Sequence, residues 1–263
     1  MHFKITSTQN PKVKSLLALQ KPRERKKQCL FIIEGVKEVQ MALQTDYTIG
    51  NIFFCDELIS QEKIEKLFKS VNLLIPVSKD VFNKLAVRED SGGVLAVAEM
   101  KTHSLDKISL KENSLILVLE SVEKPGNLGA ILRTADAAGI DAVISCDPQT
   151  DFYNPNVIRS SVGAVFTNQL ASDSSAKTID WLKKNKIAIF CTHLKGARPY
   201  HQADYTKPSA VVMGTESIGL SDQWVKAANE TIIIPMAGAI DSMNVSASAA
   251  VVVFEARRQR GFM

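Results

Sequence analysis

The chain has 263 residues, 45% of them hydrophobic, with 32 Lys and Arg against 28 Asp and Glu. That length and apolar content support a globular protein of two modest domains or one large one. No stretch approaches the roughly 18 to 20 apolar residues of a membrane span, and MHFKITSTQNPKVK lacks the apolar centre of a secretory signal, so a cytoplasmic protein is expected.

Charge is unevenly placed. Residues 1–27 carry eight Lys or Arg against Glu24 alone, a net +7 that leaves −3 on the remaining chain. Lys12, Lys14, Arg23, Arg25, Lys26 and Lys27 are the candidate contacts to a nucleic-acid backbone, because each neutralised phosphate releases counterions. A solvated helix face is the plainer alternative. Residues 11–27 read as a lysine-rich helix that Pro22 ends or kinks.

An alternation of short elements follows: strand LFIIEG, helix VKEVQMALQ, strand IGNIFFC, helix QEKIEKLFKSV, strand LLIPVS, helix DVFNKLAV and strand GGVLAVAEM. This reads as a small α/β domain over residues 1–103, followed by a polar linker at 104–114. A second alternation fills 115–263, with strands at 115–119, 142–145, 165–170, 187–191, 210–213 and 231–235. Helices are expected at 128–138, 155–162, 176–185, 221–228 and from about 244. Unbroken apolar strands separated by helices predict a parallel sheet covered on both faces. Cys29, Cys55, Cys146 and Cys191 are widely spaced beside apolar runs, so buried reduced thiols are expected and no metal site.

Ligands of open parallel sheets bind beyond the carboxyl ends of the strands, which directs attention to three loops. The first, ESVEKPGNLGAI, joins Gly126 and Gly129 to a helix start, where backbone N–H groups favour an anion. It fails as a dinucleotide fingerprint, since G-x-x-G stands there without a third glycine or a downstream acid. Arg133 follows one turn after Gly129, and two readings stay open: an ion pair with Asp136 or Asp141, or a guanidinium aimed at a phosphate. In GTESIGLSDQW, Gly214 and Gly219 frame Glu216, as a simple turn or a functional loop. In PMAGAIDSMNVSASAA, Ser242 or Asn244 caps a last helix whose small residues let another backbone approach. Its terminal Arg257, Arg258 and Arg260 suit either the negative helix end, the simpler reading, or contact with RNA.

These residues resemble a family. N-x-G-x-x-x-R-T-A (Asn127 to Ala135), G-x-E-x-x-G-L (Gly214 to Leu220) and S-M-N-V-S (Ser242 to Ser246) are similar to the three ordered motifs of the SpoU, or TrmH-type, RNA ribose methyltransferases. The first domain, through Leu30 to Leu43 and Gly92 to Val97, resembles the L30e-like substrate-binding domain of many members, departing at Gly92 where glutamine is common. The resemblance implies a SPOUT fold, a parallel sheet whose C-terminal segment threads a trefoil knot, an arrangement ordinary topology would not propose. It further implies S-adenosylmethionine as cofactor, held by Leu194, Gly214, Gly219, Ile234, Met236, Ser242 and Met243. Arg133, Asn127, Glu216, Asn244 and Ser246 would carry the transfer to a ribose 2′-hydroxyl, in a homodimer and without metal. The RNA is expected to be rRNA, with tRNA, a non-catalytic RNA binder, or a base methyltransferase of the same superfamily as alternatives.

Overall fold

The computed structural model describes residues 4–69, 73–87, 92–194, 197–215, 218–239 and 242–262. It divides into two compact units, one of residues 1–102 with 151–167 and one of 103–150 with 168–263.

In the first unit the basic segment forms two helices, α1 (Pro11–Ala18) and α2 (Pro22–Gln28). Pro22 is therefore a start: at the first helical position its missing N–H costs nothing and its fixed φ suits the helix. Then come β1 (Leu30–Glu34), α3 (Val36–Gln44), β2 (Ile49–Cys55), α4 (Gln61–Leu67), β3 (Leu74–Val77), α5 (Lys79–Leu85) and β4 (Val94–Glu99). The four strands form a mixed sheet in the order β1-β4-β2-β3, in which only β2 and β3 pair in parallel. Val13, Leu16, Phe53, Ile75, Phe82 and Leu95 share the core on one side of it.

The second unit runs β5 (Leu115–Glu120), α6 (Pro125–Ala138) and β6 (Ala142–Cys146). Next in the chain is α7 (Pro155–Ser160), inside the segment 151–167 that packs with the first unit, where α7 lies on β1. The sequence alone places that segment in the second domain, with a strand at 165–170. Instead Val162 and Gly163 adopt positive φ, the chain turns from 161 to 167, and the strand begins only at Leu170. Gly163 has a further reason to be glycine, because a Cβ there would lie 2.7 Å from the Met41 sulfur.

The second unit continues with β7 (Leu170–Asp173), α8 (Ser175–Lys184), β8 (Ala188–Thr192), β9 (Arg198–Pro199), β10 (Ser209–Met213), α9 (Asp222–Ala227), β11 (Glu230–Ile233) and α10 (Val245–Gln259). All its strand pairs are parallel, in the order β7-β6-β5-β10-β8-β11-β9. Every residue of β5, β6 and β10 is buried, which is why their sequences are apolar without alternation. Residues 104–114, expected as a linker, belong to this unit's fabric: Leu105, Ile108 and Leu110 pack against its core. Among the described residues no helix is long and apolar enough to cross a membrane.

Candidate active site

The carboxyl ends of β8, β10 and β11 open onto one cavity of about 530 Å³. That volume suits a nucleoside-sized ligand. Its walls come from Thr192 to Leu194 after β8, from the hairpin after β10, from Ile232 to Met236, and from Ser242 onward into α10. All seven residues named from the resemblance as cofactor contacts, Leu194, Gly214, Gly219, Ile234, Met236, Ser242 and Met243, line it. Leu194 and Ile218 are 61% and 86% exposed beside it, large apolar surface that a bound ligand would cover.

The hairpin is built by two glycines. Thr215 and Gly219 exchange backbone hydrogen bonds of 3.1 Å in both directions, and Gly219 sits at φ +76°. Gly214 faces it so closely that a Cβ there would lie 2.3 Å from the Gly219 carbonyl carbon. Any larger residue at 214 displaces backbone. Glu216 lies outside the described residues.

The first motif opens a helix rather than a loop. Pro125 takes the first position of α6, so Gly126, Asn127 and Gly129 belong to its first turns. Asn244 caps α10, its Oδ1 accepting from the Ser246 backbone N at 2.9 Å and from the Ser246 hydroxyl at 2.6 Å. Its other amide atom, Nδ2, donates to Asn127 Oδ1 at 3.1 Å. Near the far ends, a Cβ on Gly139 would approach Arg257 within 3.1 Å, so α6 and α10 run side by side in the same direction. Two positive helix ends therefore meet beside the cavity, a place that favours negative charge.

Arg133 is exposed on α6. None of the ion pairs among the described residues includes it. Asp141 is engaged elsewhere, accepting from the Leu115 backbone N and pairing with Lys111 at 2.7 Å. Seven residues before Arg133 on the same helix stripe, Gly126 is exposed with open space where a Cβ would stand.

Two expectations are corrected. Arg25 is no RNA contact: it is 0% exposed, its Nη1 donates to the Leu19 and Gln20 carbonyls at 2.9 Å, and Nε and Nη2 hold the Asp151 carboxylate at 3.3 and 2.5 Å. The fork of the guanidinium satisfies both carbonyls and carboxylate at once, which is what makes its burial tolerable. Lys12, Lys14, Arg23, Lys26 and Lys27 are at the surface of the two helices. Cys29 is also exposed, in a left-handed turn after α2, whereas the other three cysteines are buried. Burial pushes the Cys146 and Cys191 thiols up to about 12, so neither is a nucleophile at neutral pH. Arg260, at the end of α10, donates to the carbonyls of Asn113 and Lys207 at 2.6 Å and of Tyr205 at 2.8 Å, and serves the fold. Among the described residues one group of metal-type ligands occurs, Cys55, Asp56 and Glu57 in the first unit, and Lys4 already pairs with Asp56 at 2.7 Å.

Site residues that sequence reasoning does not single out are Thr192, His193, Thr215 and Ser248 in the cavity wall, and Glu120 beneath the hairpin. Thr192 and His193 directly precede Leu194, an adjacency that could have marked them.

Residues 114–254 match the SpoU rRNA Methylase family, and residues 10–96 match the MRM3-like substrate binding domain. The chain is 29% identical over 253 residues to the 23S rRNA (guanosine(2553)-2'-O)-methyltransferase RlmP of Bacillus subtilis, covering 96% of this chain and 98% of that protein. It is 28% identical over 238 residues to a 23S rRNA (uridine(2479)-2'-O)-methyltransferase of Streptomyces viridochromogenes, covering 88% and 83%. Among solved structures it resembles an rRNA methyltransferase from Sinorhizobium meliloti with S-adenosylmethionine bound, at TM-score 0.89 and 31% identity over 97% of each chain. With a family match across more than half its length and neighbours alike in both parts, the chain belongs to the SpoU rRNA methylase family.

Proposed function

We propose that this protein transfers a methyl group from S-adenosylmethionine to a ribose 2′-hydroxyl of rRNA. The observation that carries the reading is the convergence of separate motifs on one place. The Gly214 to Gly219 hairpin and Ser242 with Met243 wall the same cavity, and Asn244, next in the chain, is bonded to Asn127 of the first motif. Relatives whose names specify guanosine and uridine share the 2′-oxygen as target, which makes the sugar the common chemistry.

The cavity suits the cofactor in kind: it combines exposed apolar side chains, the Met236 and Met243 thioethers and the backbone of a glycine hairpin. Leu194, Gly214, Gly219, Ile234, Met236, Ser242 and Met243 would hold it. When bound, S-adenosylmethionine supplies an electrophilic methyl group on sulfonium. The protein's task is to bring the ribose oxygen into line and to ease loss of its proton. Arg133 holds the phosphate next to the target, its charge adding to that of the two helix ends. Asn127, oriented by Asn244, hydrogen-bonds near the attacking oxygen, and Ser246 fixes the Asn244 amide. Glu216 completes the motif set. Lys12, Lys14, Arg23, Lys26 and Lys27 contact the RNA backbone on the first unit.

The remaining parts of this reading are a cytoplasmic homodimer and a trefoil knot in the C-terminal segment. Phe254, exposed on α10, and the open stripe of Gly126 and Arg133 on α6 support a second copy approaching these helices. The experiment offers purified protein, methyl-labelled S-adenosylmethionine and unmodified rRNA or tRNA in separate reactions, followed by nucleoside digestion. Label on ribose from rRNA is expected. No incorporation, or label on a base, overturns the reading, and label from tRNA alone moves the substrate.

A further inference from the structure

Glu120 ends β5, an interior apolar strand of the second sheet lying between β6 and β10, and its residue is only 6% exposed. It lies outside the three motifs. A carboxylate so placed is costly unless donors surround it, and among the described residues no cation pairs with it. Neutral donors satisfy it instead. Its Oε2 accepts from the Ser221 backbone N at 2.8 Å, and its Oε1 accepts from the Ser221 hydroxyl at 2.5 Å and the Ser175 hydroxyl at 3.2 Å. The Ser175 oxygen accepts in turn from the indole N–H of the fully buried Trp224 at 3.0 Å.

Ser221 stands two residues beyond Gly219, where the hairpin closes on Thr215. The other end of that hairpin continues β10, which pairs with β5 so that Met213 stands opposite Leu119. β5 therefore holds both ends: the sheet ladder fixes the entrance and the Glu120 carboxylate fixes the exit. Between these ends lie Gly214, Thr215, Ile218 and Gly219 of the cavity wall. Apolar packing alone would bury Leu220 without fixing where the backbone of residue 221 sits. Three hydrogen bonds to one carboxylate from two residues do fix it.

We infer that Glu120 is a positioning residue for the cofactor, acting through Ser221 to hold Gly214, Thr215, Ile218 and Gly219 of the cavity wall in their binding shape. The inference rests on the reading that the cavity holds S-adenosylmethionine. The test measures S-adenosylmethionine binding by calorimetry, and kcat and KM for methyl transfer, in wild type, Glu120→Ala, Glu120→Gln, Ser221→Ala and Gly214→Val. Loss of a charge-assisted hydrogen-bond set corresponds to a rise of about tenfold to a hundredfold in Kd and KM for the cofactor in Glu120→Ala, well beyond any fall in kcat. Ser221→Ala should reproduce part of it, and Glu120→Gln, which keeps one acceptor oxygen, should recover part. A merely structural role lowers the active fraction, and so kcat, with KM unchanged; that result overturns the inference. Should Glu120→Ala not fold, Ser221→Ala and Glu120→Gln decide alone, and wild-type KM in both is again fatal. Equal cofactor binding by wild type and Gly214→Val overturns the cavity reading itself, whereas loss in Gly214→Val with wild-type binding in the Glu120 variants overturns only the role of Glu120.

Discussion

Asn244 donates from Nδ2 to Oδ1 of Asn127 across 3.1 Å, joining the first turns of two helices through residues 117 positions apart. The same amide caps α10 through its oxygen, so the two functions of Asn244 can be separated chemically. Asn244→Asp keeps the capping oxygen and removes the donor. Its expected outcome is a fall in single-turnover methyl transfer of about tenfold or more, with unfolding free energy within about 1 kcal/mol of wild type. Wild-type transfer in this variant would remove Asn127 orientation from the mechanism.

Arg133 is set apart by its freedom from the acids that sequence offered it. Asp141 is occupied by Leu115 and Lys111, leaving the guanidinium for a ligand. Arg133→Ala should therefore abolish transfer while leaving the S-adenosylmethionine Kd within about twofold of wild type, since a factor of two is only about 0.4 kcal/mol. Arg133→Lys keeps the charge without the bidentate fork and should fall between the two. Loss of cofactor binding in either variant contradicts this division of roles.

Gly214 tests the hairpin by shape alone. A Cβ at 214 has no room against the Gly219 carbonyl, so Gly214→Ala should separate the two strands of the turn and weaken cofactor binding by more than about tenfold. The sheet beneath is untouched, and circular dichroism should keep its native form. Unchanged affinity would show that the hairpin does not form the binding wall.

How much of this was legible depended on how local the cause was. β2 was readable to the residue, because its buried apolar half IFFC stops at Asp56 and its first residue, Ile49, follows the polar Thr48. The strand expected at 165–170 failed because Val162 and Gly163 reverse the chain, and positive φ at valine leaves no signature in composition. β9 is two residues long and carries no period at all. In the site, the motifs named Gly214, Gly219, Ser242 and Met243 of the cavity wall and the family resemblance supplied Leu194, Ile234 and Met236, yet the contact of Asn127 with Asn244 exists only once the sheet brings α6 beside α10. Arg25 illustrates the opposite failure. It stands among exposed lysines, and its burial is decided by Asp151, 126 positions away. Glu120 was missed for a like reason: an acid ending an apolar strand reads as the point where the chain meets water.

Arg25 and its neighbours on α2 should accordingly answer to different measurements. Arg25→Ala removes a buried cation from Asp151 and two carbonyls and should cost about 3 kcal/mol of stability by denaturant titration. Neutralising Arg23, Lys26 and Lys27 should leave stability within about 0.5 kcal/mol, because surface charges contribute little. Their effect should appear in RNA binding, where the slope of log affinity against log salt flattens by about one for each phosphate no longer neutralised. A steep, unaltered slope in the triple variant would take these residues out of the RNA interface.

The buried thiols make a prediction about alkaline stability. Cys146 and Cys191 are pushed up to about 12 by desolvation, from an ordinary value of 9.0. A group whose pKa is raised on folding favours the native state fully below its unfolded pKa, and that advantage is lost as pH climbs toward the folded value. Stability should therefore fall between pH 9 and about 12, as unfolded thiols ionise while folded ones remain protonated. Buried Tyr153 and Tyr205, whose phenols are also raised by burial, add to the same decline, so the absolute slope is shared. The double variant Cys146→Ala with Cys191→Ala isolates the thiol part. It is less stable at neutral pH through lost packing, but its unfolding free energy should fall less steeply from about pH 9 to about pH 11 than that of wild type. Below about pH 8 the two slopes should coincide. Parallel curves throughout the alkaline range would mean that the thiols ionise as readily in the fold as out of it, against their burial at the ends of β6 and β8.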